Sequence, residues 1–219
     1  GTGFTRFVES EVQSFFKRFL GCGEVEARPI SGQMANHCVF RGMVDYTNRF
    51  RKEEPRRLGY VMINGLRNGG HLSAQMLGSL HNHVSYDPRT GKPSVLTFPI
   101  RQDNPYRIDL EATAELVDRY RPQMVVLGKS MVLHPEPVRE ISELVRDLGT
   151  IVMYDMAHVL GLVGPHFQDP FKDGAHLVTG STHKTFFGTQ RGIVASNMSE
   201  ETELLPLWEK SVSAALPGG

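Results

Sequence analysis

Short apolar runs alternate with stretches of helical periodicity along this chain, and that alternation restricts it to a layered α/β fold. The runs are 60–63, 95–98, 124–127, 150–154, 175–179 and 192–196, with 25–30 a further short strand or extended segment. Between them, 9–20 carries Val12, Phe15, Phe16 and Phe19 at helical spacing, and Gly21 is a plausible stop. Segments 34–46, 71–80, 110–120 and 136–148 read as further helices, with Asp109 an N-cap and Gly149 a terminator. Residues 48–57 form a charged connection, 64–70 a glycine-rich loop, and 87–93 carry turn chemistry. The expected architecture is a three-layer α/β/α sandwich around a mostly parallel sheet. Ligands of such sheets bind beyond the carboxyl ends of the strands.

The 219 residues suffice for one large domain with a real core. Lys plus Arg balances Asp plus Glu at 24 each, so no global field favours a nucleic acid or a membrane surface. No apolar run reaches the roughly 18–20 residues of a membrane span, and the start of the sequence lacks a signal-peptide pattern. Cys22 and Cys38 make neither a disulfide framework nor a metal spacing and read as small buried residues. A cytoplasmic location is the default. His37, His81, His83, His134, His166 and His176 have no metal-ligand spacing and read as structural or surface groups, so no metal is expected.

The chemistry concentrates after the strands. Lys184 lies in Gly180-Ser181-Thr182-His183-Lys184-Thr185, a small, hydroxylated segment without a neighbouring acid. A surface lysine is the plain alternative, but a desolvated lysine becomes an amine nucleophile. Asp155 ends the 150–154 run; it could simply cap the next segment, or it could face a cationic group in the crevice. His158, three residues on, is either a packed histidine or a partner of Asp155 or of a ligand. Ser31-Gly32-Gln33 precedes a helix, where backbone N–H groups can hold a phosphate. His71 follows Gly69-Gly70 and could stack on a flat ring, and Ser130 follows the 124–127 strand. A lysine to hold an aldehyde as a Schiff base, with a carboxylate to keep a ring nitrogen protonated, is what pyridoxal 5'-phosphate needs.

These segments resemble the serine hydroxymethyltransferase family of fold-type I pyridoxal-phosphate enzymes. The likeness runs through Ser31-Gly32-Gln33-Met34-Ala35-Asn36, Gly69-Gly70-His71-Leu72, Ser130, Tyr154-Asp155-Met156-Ala157-His158, Ser181-Thr182-His183-Lys184-Thr185 and Leu216-Pro217-Gly218-Gly219. The resemblance implies an aspartate-aminotransferase-like large domain over residues 1–219, without the family's N-terminal segment and C-terminal small domain. It implies Lys184 as the Schiff-base lysine, Asp155 on the pyridine nitrogen, and His71 on the ring. Ser130 and His158 would then lie near the phenolic oxygen, with Ser31, Gly32, Gln33 and His183 at the phosphate.

The implied activity is reversible aldol cleavage of L-serine or another β-hydroxy amino acid to glycine. Tetrahydrofolate would be the co-substrate in the hydroxymethyltransferase branch. Gly180-Ser181 before the lysine, Phe186-Phe187-Gly188-Thr189-Gln190 after it, and Ser73-Ala74-Gln75 after His71-Leu72 depart from the usual motifs. These departures point toward the branch of threonine transaldolases and folate-independent aldolases. An aminotransferase on the same fold and a non-catalytic relative are the alternatives. A homodimer is expected, with Gly218-Gly219 reaching the partner's cofactor.

Overall fold

The computed structural model describes residues 2–198, 207, 208, 212 and 214–216. Four α-helices are present among them: α1 (Gly3–Leu20), α2 (Gly32–Thr47), α3 (Leu110–Tyr120) and α4 (Val138–Val145). Seven strands form one sheet: β1 (Glu24–Glu26), β2 (Val61–Ile63), β3 (Val95–Thr97), β4 (Met124–Leu127), β5 (Ile151–Asp155), β6 (Leu177–Ser181) and β7 (Gly192–Ser196). The strand order is β1-β7-β6-β5-β4-β2-β3, and β7 runs antiparallel to both of its neighbours while the other pairings are parallel.

The continuous apolar runs are explained by burial on both faces. Val125 and Leu127 pack on one side with Phe16 and Leu20 of α1, Val117 of α3 and Ile141 of α4. Met124 and Val126, alternating with them along the same strand, pack on the other side with Val39, Phe40 and Met43 of α2. This is the three-layer α/β/α sandwich with a mostly parallel sheet. No helix among the described residues is long and apolar enough to cross a bilayer.

Helix signals held where capping and periodicity agreed. Asp109 accepts from the Ala112 N–H at 3.0 Å, and α3 has the expected bounds. Helix α1 begins earlier than expected, at Gly3, and α4 later, with Pro137 as its N-cap and a 3-10 turn at Arg146–Leu148. The helix expected over 34–46 begins two residues earlier, at Gly32, so Ser31-Gly32-Gln33 is the start of α2 itself, capped by Ser31, whose Oγ accepts from the Met34 N–H at 3.1 Å.

The 71–80 helix is a correction: this segment makes only 3-10 turns, Leu72–Ala74 and Ser79–Asn82. Its buried polar residues His71, Ser73 and Gln75 alternate, and their side chains bond to other segments instead of following a 3.6-residue stripe. Cys38 is buried and Cys22 half-buried; both are free thiols, and burial pushes the pKa of each up to about 11.

Candidate active site

Parallel strands β4, β5 and β6 deliver their carboxyl ends to one side of the sheet, and the site is built there. Asp155, the last residue of β5, is 2 % exposed. Its Oδ2 accepts from His71 Nδ1 and from Asn36 Nδ2 (2.7 Å), and its Oδ1 accepts from the Ala157 N–H at 3.0 Å. Burial would raise its pKa, but the hydrogen bond and charge of His71, helped by Asn36 and Ala157, outweigh it and hold the carboxyl below its usual range. Asp155 therefore caps the following turn and also faces an imidazole. Gly128 permits this: a Cβ there would lie 2.7 Å from Asp155 Cβ, and its φ is 155°.

Lys184 follows β6 in a turn and is half-buried. Its Nζ lies 3.1 Å from His158 Nε2. Burial lowers the lysine pKa, with Asp155 opposing. Burial, followed by the charges of Lys184 and His71, pushes His158 down to about 4. A neutral His158 thus accepts a lysine hydrogen at Nε2, which leaves the ring proton on Nδ1. The His71 and His158 rings meet edge to face, centroids 5.0 Å apart.

A cavity of about 270 Å³ opens at this point, with Ser31, Gly32 and Gln33 on one side and His71, His183 and Lys184 among its other walls. The start of α2 and the end of β6 touch here: a Cβ on Gly32 would lie 2.3 Å from Ser181 Oγ. The structure therefore brings Ser31, Gly32, Gln33, His71, Asp155, His158, His183 and Lys184 together. Ser130 stands apart, exposed and off this cavity, its backbone N–H donating to Gly69 O at 2.7 Å. A larger hollow, about 710 Å³, lies against α1 and the 182–193 segment and is lined by neither His71 nor Lys184. Among the described residues no three His, Cys, Asp or Glu side chains are grouped to hold a metal.

Sequence reasoning missed the groups behind Asp155. Asn36 binds Asp155, Ser73 and Thr179, all buried. A polar residue within the buried stripe of α2 (Gly32, Ala35, Asn36, Val39, Phe40) was the available signal. It also missed Lys129 and Glu136, a buried ion pair at 2.7 Å beside Asn64 and Gln75.

Residues 5–205 match the serine hydroxymethyltransferase family model. A serine hydroxymethyltransferase from Pyrobaculum islandicum is 34 % identical over 202 residues, covering 92 % of this chain and 42 % of that protein. One from Archaeoglobus fulgidus is 33 % identical over 219 residues, 100 % of this chain and 44 % of that protein. The chain thus spans less than half the length of these relatives. Among solved structures, L-threonine transaldolase from Pseudomonas fluorescens, in its internal aldimine state, superposes with a TM-score of 0.76 at 26 % identity, covering 99 % of this chain and 44 % of that one.

Proposed function

The chain belongs to the serine hydroxymethyltransferase family, and from that premise we propose that residues 1–219 form the pyridoxal-phosphate-binding domain of an enzyme that cleaves β-hydroxy amino acids to glycine. The observation that carries this reading is the pairing of Lys184 with neutral His158 one strand away from the buried, ionised Asp155, beside the start of α2.

The residues fit the cofactor. Lys184 would hold its aldehyde carbon, Asp155 its ring nitrogen, and Ser31, Gly32, Gln33 and His183 its phosphate. When bound, the cofactor supplies an electron-poor ring that stabilises negative charge at the amino acid's α-carbon. Asp155 keeps a charge within reach of a cationic nitrogen, and burial strengthens that attraction. His158 accepts a hydrogen from Lys184, which holds the amine in place. Because His71 and Asn36 already share Asp155 Oδ2, His71 would release that oxygen to the ring nitrogen and pack on the ring.

The match to a solved L-threonine transaldolase favours a second, folate-independent branch of the same chemistry. Apolar side chains exposed on the segments leaving β2, β4 and β5 (Leu72, Leu77, Met131, Leu133 and Leu162) support a homodimer closing over this end of the sheet.

The test uses the intact protein with pyridoxal phosphate. Glycine release is followed from L-serine with and without tetrahydrofolate, beside L-threonine and a bulky β-hydroxy amino acid. Folate-dependent turnover of serine is the hydroxymethyltransferase outcome; folate-independent cleavage of the larger substrates with serine inert is the transaldolase outcome. Keto-acid products in place of glycine, or a cofactor absorbance band unchanged in Lys184→Ala, would overturn the assignment.

A further inference from the structure

Asn36 sits in the second turn of α2 with no exposed surface. Its Nδ2 donates to Asp155 Oδ2 (2.7 Å) and to Ser73 Oγ (2.9 Å), and its Oδ1 accepts from Thr179 Oγ1 at 2.6 Å. Both amide hydrogens and one oxygen lone pair are therefore used, by partners on β5, on β6 and in the segment after His71. The orientation of the amide is fixed by charge. Turned over, its oxygen would face an oxygen of a buried carboxylate, lone pair against lone pair.

The Asn36 amide, unlike the ring that shares Oδ2 with it, neither gains nor loses a proton at working pH. Among the described residues, the titratable groups coupled to Asp155 are His71, His158 and Lys184, from the segments after β2, β5 and β6, and Tyr154 of β5 itself; α2 contributes the neutral Asn36. Without the amide, a carboxylate buried this deeply would be held in its charged form by His71 and the Ala157 N–H alone, and by Ala157 alone among these once His71 left.

We propose that Asn36 is a positioning residue: backed by Thr179 and Ser73, it keeps Asp155 ionised and fixed in orientation when His71 leaves it. Its consequence for cofactor chemistry rests on the proposed pyridoxal-phosphate site; its effect on Asp155 stands without that site.

The experiment measures Asp155 directly. In the intact, cofactor-free protein, the Asp155 carboxyl carbon is titrated by ¹³C NMR, its signal assigned by its loss in Asp155→Asn. Asn36→Ala should raise the Asp155 midpoint by about one unit, a tenfold change in protonation. Thr179→Val, a milder change that frees the amide to turn, should move it in the same direction by less, and Thr179→Ser should restore it. In the cofactor-loaded protein, the ¹⁵N shift of a labelled ring nitrogen should stay that of the protonated form in wild type between about pH 6 and 9, and should begin to titrate in both Asn36→Ala and Thr179→Val. Variants that lose stability but leave the Asp155 midpoint unmoved would make Asn36 a packing residue and overturn the proposal. Wild-type protein that takes up no cofactor would overturn the pyridoxal-phosphate assignment instead, and the carbon titration would still decide the role of Asn36.

Discussion

At the scale of single residues, chemistry decides what can be read in advance. Lys184 and Asp155 stand out in the sequence because pyridoxal-phosphate chemistry calls for an amine and a carboxylate at strand ends, and few other residues could serve. His176 is the contrary case, since nothing in its sequence context distinguishes it from a surface histidine. Its backbone N–H donates to Val152 O at 2.8 Å while its Nδ1 accepts from the Val152 N–H at 2.9 Å, so the side chain takes the place of a missing strand acceptor. That bond requires a neutral Nδ1, and burial lowers the His176 pKa accordingly. Burial also lowers His83 and brings His158 to about 4. The unfolded chain, with histidines near ~6.5, then binds more protons than the folded one. The contribution of these three histidines to stability is therefore complete above about pH 6.5 and is lost as the pH falls below it. His176→Asn keeps an acceptor at the position of Nδ1 but cannot titrate. Its urea midpoint should match wild type at about pH 7.5 and fall less on acidification to about pH 5.5. Equal losses in the two proteins would show that His176 is not part of the acid response.

At the scale of elements, the segments that were legible are those with a single buried pattern, and the ones that were not are held by side chains from elsewhere. Strands β4 and β7, buried throughout, have the expected bounds, while β5 and β6, buried throughout as well, lie one and two residues on from the expected 150–154 and 175–179. The 71–80 segment and the Gly128–Ser130 turn take their shape from distant partners. Lys129, buried just after β4, pairs with Glu136 Oε1 at 2.7 Å and donates to Tyr106 O at 2.8 Å. Glu136 Oε2 accepts from Asn64 Nδ2 at 3.2 Å, and Asn64 Oδ1 accepts from the Gly128 N–H at 2.8 Å. The Gly128 carbonyl in turn receives the His71 N–H at 3.1 Å. One ion pair thus braces the turn that carries His71. Lys129→Met would leave the Glu136 carboxylate buried without its cation, at a cost of about 3–5 kcal/mol near neutral pH. Burial already pushes Glu136 upward and Lys129 opposes it, so losing the lysine raises its folded pKa further. The folded variant then holds a proton that the unfolded chain releases above ~4.3. The destabilisation is accordingly small near that pH and grows as the pH rises. Chemical denaturation at acid and alkaline pH measures this, and Lys129→Met combined with Glu136→Leu should recover most of the loss. A destabilisation independent of pH would mean that Glu136 is not the group left unpaired.

At the scale of the whole molecule, parallel strands put their carboxyl ends together, and the chain places there both its chemistry and some of its exposed apolar side chains. Alternating runs were enough to predict the crevice, but they say nothing about what covers it, because exposed leucines in loops carry no periodicity. Expected contacts of Gly218-Gly219 lie outside the described residues. The rim is substantial: Leu77 is 80 % exposed and lines the same cavity as Lys184. Leu72 beside it and Met131 after β4 are also exposed. Exposed apolar side chains at the rim of a polar cavity are costly to leave in water, and a two-fold partner would cover them with the same surface of its own. In such an isologous contact one substitution acts twice. Leu77→Glu would put two carboxylates near the axis or oppose each to apolar surface, and either arrangement favours dissociation. Sedimentation of the intact protein should then give a dimer for wild type and a shift toward monomer for Leu77→Glu. Cofactor retention should fall in parallel, because the mouth of the cavity would be open to water. A wild-type protein that sediments as a monomer while keeping its cofactor would refute the closed site, and a dimeric Leu77→Glu would move the interface to another face.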